Sequence, residues 1–145
     1  MTQAAIFRRT RIIGNNHVDQ LGHVNNVVWI ELIIELAHAH SSSLGLGFEA
    51  TKKLGGIWIV HRHEIDYHQP ALPGEEVLEE TWLTSLRGAR STRTTRFTRL
   101  SDGTQLVSAV THWAYIDTQT QRPRRLDPPI LAAFKVLEDH PGGPA

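Results

Sequence analysis

A chain of 145 residues, with 15 basic and 15 acidic side chains, is long enough for one domain with a real core and carries no net field to attract nucleic acid or an anionic membrane. It contains no cysteine, which excludes disulfides, thiolate catalysis and cysteine–zinc sites. The opening run MTQAAIFRRTRII has no apolar stretch followed by a small-residue cleavage site, so a cytoplasmic protein without a secretory signal is expected.

Residues 6–13 read as a first strand, anchored by Phe7, Ile12 and Ile13. Residues 14–23 form a polar loop that carries His17, Asp19, Gly22 and His23. The spacing then predicts a helix over 25–40, roughly 24 Å long. Its residues Val27 to Ile30, Leu32 to Ile34 and Leu36 are apolar with almost no interruption, so it is expected to be buried on all sides. It is too short, and too punctuated by Glu31 and Glu35, to span a bilayer. Residues 41–56 hold several glycines and serines and predict a loop with one short helical turn at 48–54.

The rest reads as strand. Residues 57–68 alternate, which puts Ile57, Ile59, His61, His63, Ile65 and Tyr67 on one face. Pro70, Pro73 and Gly74 end that strand. Further strands are predicted over 76–86, 91–100 and 105–117, with turns at Arg87 to Arg90 around Gly88 and at Ser101-Asp102-Gly103. The tail begins with a basic, proline-rich run, and a short helix is expected over 130–136. A single domain is expected over 1–137, with a flexible tail from 138 that frays over 141–145. One strand, one helix and then consecutive strands define an α+β chain with an antiparallel sheet. A helix that is apolar all round requires that sheet to curl about it, or a second molecule to cover it, and a homo-oligomer is expected.

The candidate chemistry lies where the loop enters the helix. Unpaired backbone N–H groups at a helix N-terminus favour negative charge, so this is a place for a reacting carbonyl. Asp19, just before it, is either a loop carboxylate bonded to its own backbone or a base or nucleophile. Gly22 permits close backbone approach. His23 is read as an orienting group or as an exposed loop side chain, and His17 as structural. Glu31 and Glu35 share one helix face and must reach water, a cation or a pocket, and His38 is a partner for Glu35. His61 and His63 are read as pocket-lining or interface residues. Without a third ligand they make no metal site, and no metal is expected. Arg87 and Arg90 are either solvated charge or contacts to phosphate, for which paired guanidiniums suit. Arg93 and Arg99 share a strand face with Arg96 on the other, so they form no single stripe. Arg122, Arg124 and Arg125 in the tail are a further possible phosphate contact.

Two motifs carry a resemblance. The run Asp19-Gln20-Leu21-Gly22-His23-Val24-Asn25-Asn26, followed by Trp29, resembles the signature of hotdog-fold acyl-CoA thioesterases of the 4-hydroxybenzoyl-CoA thioesterase group. Glu64-Ile65-Asp66-Tyr67, with Pro70, Ala71 and Gly74, resembles that family's second strand and following turn. The likeness spans about residues 6–135. It implies a five-stranded antiparallel sheet wrapped around the helix, homodimers or dimers of dimers with sites at the interface, and metal-independent hydrolysis of an acyl-CoA to an acid and CoA, with no cofactor beyond the substrate's own CoA. It matches Asp19 to the catalytic carboxylate and Asn26 to the position whose backbone N–H polarises the thioester carbonyl. The stretch His23-Val24-Asn25-Asn26 also resembles acyl-carrier-protein thioesterases, although Leu21 stands where their Asn would be. The Asn and Pro of the related hydratases are absent. Resemblance to a related hotdog class with its catalytic carboxylate on the helix makes Glu31 and Glu35 alternatives to Asp19. The competing reading is a non-catalytic module that holds an acyl group.

Overall fold

The computed structural model describes residues 5–138, so the expected fray at 141–145 lies outside the described residues. Strand β1 (Phe7–Ile12) leads through a 3-10 turn at Asn15–His17 to helix α1 (Asn26–Ser43) and the short helix α2 (Phe48–Leu54). Strands β2 (Gly56–Tyr67), β3 (Glu76–Arg87), β4 (Arg90–Arg99) and β5 (Gln105–Asp117) come next, then α3 (Pro128–Ala133). The strands form one five-stranded sheet in the order β1-β3-β4-β5-β2, and every neighbouring pair is antiparallel. This is the α+β hotdog arrangement that the resemblance implies, with α1 lying in the concave face of the sheet.

Cross-strand partners share a face, so the register gives the rows under α1. Glu79, Phe97 and Val107 form one row, and Thr81, Thr95 and Ala109 the next. Leu83, Arg93 and Thr111 form a third. Apolar clusters therefore gather at two ends. Trp29, Leu32 and Ile33 of α1 pack with Phe97, Val107 and Ile13 near the start of the helix. Leu83, Tyr115, Leu126, Ile130 and Phe134 pack near its end. The polar middle is satisfied internally: Thr81 Oγ1 donates to the Thr94 carbonyl at 2.9 Å and lies 3.2 Å from Thr95 Oγ1.

Two expectations are corrected. Helix α1 is not buried on all sides in the single chain. Trp29, Leu32, Ile33, Leu36, Ala37 and His40 are buried, while Val27, Glu31, Glu35 and His38 lie along an exposed face. The unbroken apolar run hid that face because Val27 is itself apolar and 59% exposed. The alternation expected for β2 also fails at its centre. Val60 pairs with Trp113 and Arg62 with His112, which leaves His61 as an extra, bulged residue. Trp58 and Val60 thus share the inner face with His63, Ile65 and Tyr67, whereas Ile57 and Ile59 share the outer face with Arg62 and Glu64. His61 and His63 consequently point to opposite sides.

Gly56, at the start of β2, crosses directly over the buried Tyr115 ring, and a Cβ there would overlap the ring carbons. The ring is anchored, since its hydroxyl donates to Asp127 Oδ2 at 2.9 Å. Gly56→Ala is therefore expected to destabilise the fold by at least about 2 kcal/mol, from overpacking against a side chain that cannot retreat. A urea melt of the variant with an unchanged midpoint would refute this.

Candidate active site

The loop before α1 is built by its own polar groups. Val18 and Val24 form an isolated antiparallel bridge, and between them the chain turns tightly at Gly22, whose φ is +78°. Asp19 N–H donates to the His23 carbonyl at 2.8 Å, and Gly22 N–H donates to the Asp19 carbonyl at 3.0 Å. Asp19 Oδ1 accepts the Leu21 N–H at 2.9 Å and, more weakly, the His23 N–H at 3.4 Å. The carboxylate thus shapes its loop with one oxygen. Its other oxygen, Oδ2, has no donor among the described residues, and the side chain is exposed.

The loop is stitched to the rest of the fold on both sides. Asn25 N–H donates to the His17 carbonyl at 3.1 Å, and Val24 N–H to the Ala71 carbonyl at 3.0 Å. His17 Nδ1 accepts from the Gly14 N–H at 3.0 Å, a structural use that agrees with its expected role. Asn25 then caps the helix, its side-chain oxygen accepting the Val27 N–H at 2.9 Å. The Asn25 carbonyl accepts the Val28 and Trp29 N–H groups. Of the first four N–H donors of α1, that of Asn26 alone has no acceptor among the described residues. It is left pointing out of a helix N-terminus, where the partial positive charge is concentrated.

Asp19, His23, Asn25, Asn26 and Trp29 line one open cleft, with Gly22 in the turn between them. The opposite wall is made by Tyr67 at the end of β2 and by His68, Gln69 and Pro70 just beyond it. Sequence reasoning named no site role for these four, although the second motif runs through Tyr67 and Pro70. The Tyr67 hydroxyl donates to the Asn26 carbonyl at 3.4 Å, and desolvation raises its pKa, so it stays a donor at neutral pH. His68 Nε2 lies 2.8 Å from Ser108 Oγ.

The other candidates are elsewhere. His63 Nδ1 lies 2.9 Å from Thr111 Oγ1 on the inner face, and burial keeps its imidazole below its ordinary pKa. His61 is on the outer face, where its Nε2 accepts from Arg90 Nη1 at 2.6 Å. Arg87 and Arg90 face one another across the β3–β4 turn, whereas the Asp19 loop adjoins the other end of β3. Glu35 accepts from Arg11 Nη2 at 2.7 Å and Arg9 Nη2 at 3.1 Å, and these hydrogen bonds, Arg11 foremost, lower its pKa. The same two arginines hold the fully buried Glu79 through their Nε atoms at 2.7 and 2.9 Å. Glu35 is therefore committed to an ion-pair network rather than poised on a cleft. Arg124 is likewise bound to Asp117 and Asp127. His38 does not pair with Glu35 but lies 6.1 Å from the Trp113 ring. Among the described residues, no three His, Asp or Glu side chains converge to hold a metal.

Solved structures share this architecture. A 1,4-dihydroxy-2-naphthoyl-CoA thioesterase from Synechocystis superposes with a TM-score of 0.81 at 20% identity, over 88% of this chain and 94% of that one. An acyl-ACP thioesterase from Bacteroides thetaiotaomicron superposes with a TM-score of 0.84 at 20% identity, over 97% of this chain. This chain spans 57% of that protein's length. A Staphylococcus aureus protein solved in complex with CoA superposes with a TM-score of 0.83 at 14% identity, over 88% and 80% of the two chains. No curated protein sequence matches. The sequence profile of the acyl-ACP thioesterase N-terminal domain matches residues 4–134. With that match covering almost the whole length, the chain belongs to the acyl-ACP thioesterase N-terminal domain family, a family of hotdog-fold thioester hydrolases.

Proposed function

We propose that this protein hydrolyses an acyl-CoA thioester to a carboxylic acid and CoA, without a metal or other cofactor, using Asp19 and the Asn26 N–H. The observation that carries this reading is the pairing, on one cleft, of a carboxylate oxygen and an α1-terminal N–H, neither with a partner among the described residues. The thioester oxygen accepts from Asn26 N–H, which meets the charge that develops there on attack. Asp19 Oδ2 takes a proton from a water as its oxygen bonds to the carbonyl carbon. The tetrahedral intermediate then collapses, the C–S bond breaks, and the proton passes from Asp19 to the departing thiolate. Trp29 and Tyr67 flank the acyl group, Gly22 leaves room for it, and His23 orients the carboxylate or the thioester. A thiol-release assay over a panel of acyl-CoAs and acyl carrier proteins tests the reading. Turnover of neither class would favour a module that only binds acyl groups.

The active unit in this reading is a homo-oligomer, at least a dimer. Val27 and Leu21 are 59% and 78% exposed, beside the cleft, and need cover. Sedimentation of a monomer at micromolar concentration would refute it.

Arg87 and Arg90 lie about 35 Å along β3 from the end that adjoins the Asp19 loop of the same chain, at strand rise. In an assembled dimer the phosphates of CoA would meet this turn from the partner protomer. Such contacts bind ground and transition states alike, so Arg87→Ala with Arg90→Ala is expected to raise KM while kcat changes little. An unchanged KM for acyl-CoA would remove the pair from the site.

A further inference from the structure

A second cavity, of about 70 Å³ and partly open to solvent, lies at the far end of α1. Ala37, on its wall, is eleven residues beyond Asn26, about 16 Å along the helix. Its walls are mostly apolar: Leu46, Phe48, Trp58, Leu83, Trp113 and Phe134. Arg93 lies among them, on the inner face of β4.

Arg93 is unlike the other buried charges in this fold. Buried Glu79 has Arg9 and Arg11, and buried Glu80 has Arg8 and Arg96. Arg93 is only 4% exposed, yet among the described residues it forms no ion pair. Its Nη1 donates to two neutral acceptors, His40 Nδ1 at 2.9 Å and Thr81 Oγ1 at 3.1 Å. Its Nε and Nη2 have no acceptor among the described residues. A buried cation left without an anion is costly. Trp113, on the same wall, is 7% exposed, and its Nε1–H is buried without an acceptor among the described residues. A guanidinium without an anion and a buried indole N–H without an acceptor, beside a mostly apolar cavity, describe the complement of an amphipathic acid.

We propose that this cavity binds an apolar carboxylate, its hydrocarbon or aryl body against Phe48, Trp58 and Phe134 and its carboxylate against Arg93 and Trp113. The mouth is at the exposed His38 and Phe48, and Leu83 and Arg93 lie beneath, so the charged end enters first. This does not depend on the hydrolytic reading of the Asp19 cleft, although hydrolysis releases molecules of this chemical class.

Calorimetric titration of the protein with decanoate, decanol and decylamine tests the proposal. Decanoate is expected to bind at least about tenfold more tightly than decanol, the value of one charge-assisted hydrogen bond, and decylamine not at all. Arg93→Met should erase the preference for the acid. Replacing a buried charge by an apolar side chain of similar size is generally tolerated, and a thermal melt checks that it is here. Trp113→Phe keeps the ring and removes only the N–H. It should weaken decanoate about threefold to tenfold and leave decanol unchanged, so the proposal remains testable if Arg93→Met fails to fold. Asp19→Asn should leave decanoate binding intact, which separates this cavity from the loop cleft. Equal affinity for acid and alcohol, a preference that survives both Arg93→Met and Trp113→Phe, or loss of decanoate binding in Asp19→Asn would overturn it.

Discussion

Asp19→Asn is expected to lower kcat at least about a hundredfold, the usual scale for loss of a general base, with KM little altered. The substitution is well suited to this site because Asp19 has two jobs on two oxygens. Oδ1 accepts from the Leu21 and His23 N–H groups and holds the turn, and an asparagine carbonyl can continue to do so. Only the unengaged oxygen is exchanged for a group that cannot accept a proton. His23→Ala should cost less, since His23 is assigned orientation rather than chemistry. A single turnover in ¹⁸O water then separates two roles for Asp19. Direct attack by water labels the product acid, whereas opening of an Asp19 anhydride on the enzyme side labels the protein. Near-full activity in Asp19→Asn would make the residue a loop-shaping carboxylate and nothing more. Should Glu31→Gln instead be inactive, the chemistry would move to the helix. Glu35 is the weaker alternative, because Arg9 and Arg11 already occupy it.

Acid should weaken the fold well before its carboxylates are protonated, and His40 is the reason. Burial, reinforced by the Arg93 charge, pushes the His40 imidazole from its ordinary value of 6.5 down to about 3. Its Nδ1 accepts from Arg93, and its ring stacks on Phe7 at 5.3 Å and meets Phe134 edge-on at 5.1 Å. Between those two values the unfolded chain binds a proton that the folded chain refuses. Stability is therefore full above about pH 6.5 and falls as pH drops towards 3, by about 1.4 kcal/mol per pH unit. From pH 6 to pH 4 the loss attributable to this group is about 3 kcal/mol. Urea melts across that range measure it. His40→Gln retains an acceptor for Arg93 but cannot be protonated, so its stability should decline less steeply. Parallel curves for the two proteins would exclude His40 as the cause.

The strand boundaries were legible because turn chemistry is local. Gly74, Gly88 and the Asp102-Gly103 pair all adopt positive φ or lie in the turns that close the hairpins, and the strands end within about two residues of where these signals put them. Helix α1 runs three residues past the expected end because Ser41, Ser42 and Ser43 continue it before Leu44 and Gly45 close it. Helix α3 begins earlier than expected because its prolines occupy the first turn, where a missing N–H costs nothing. The loop around Asp19 could be placed from its motif and its polar residues. That Asp19 braces the turn and that the Asn26 N–H finds no acceptor among the described residues depend on distances that no residue type declares. Arg93 was legible only as one of three strand arginines. The inner-face assignment follows from alternation, but its burial beside His40 comes from packing between elements 53 residues apart.

The bulge at His61 has a consequence for what changes this chain can tolerate. Along β2 the residues before it and after it keep opposite phases: even-numbered Trp58 and Val60 face inward, then odd-numbered His63, Ile65 and Tyr67. One extra residue therefore reconciles two half-strands that would otherwise be out of step. Substituting His61 alters a side chain on the outer surface. Deleting it would force one half to turn over, either swinging Trp58 out of the cavity wall or turning Tyr67 away from the Asp19 cleft. At this position the number of residues carries more of the architecture than their identity. The spacing between the two cavities is thus written into the chain as a length.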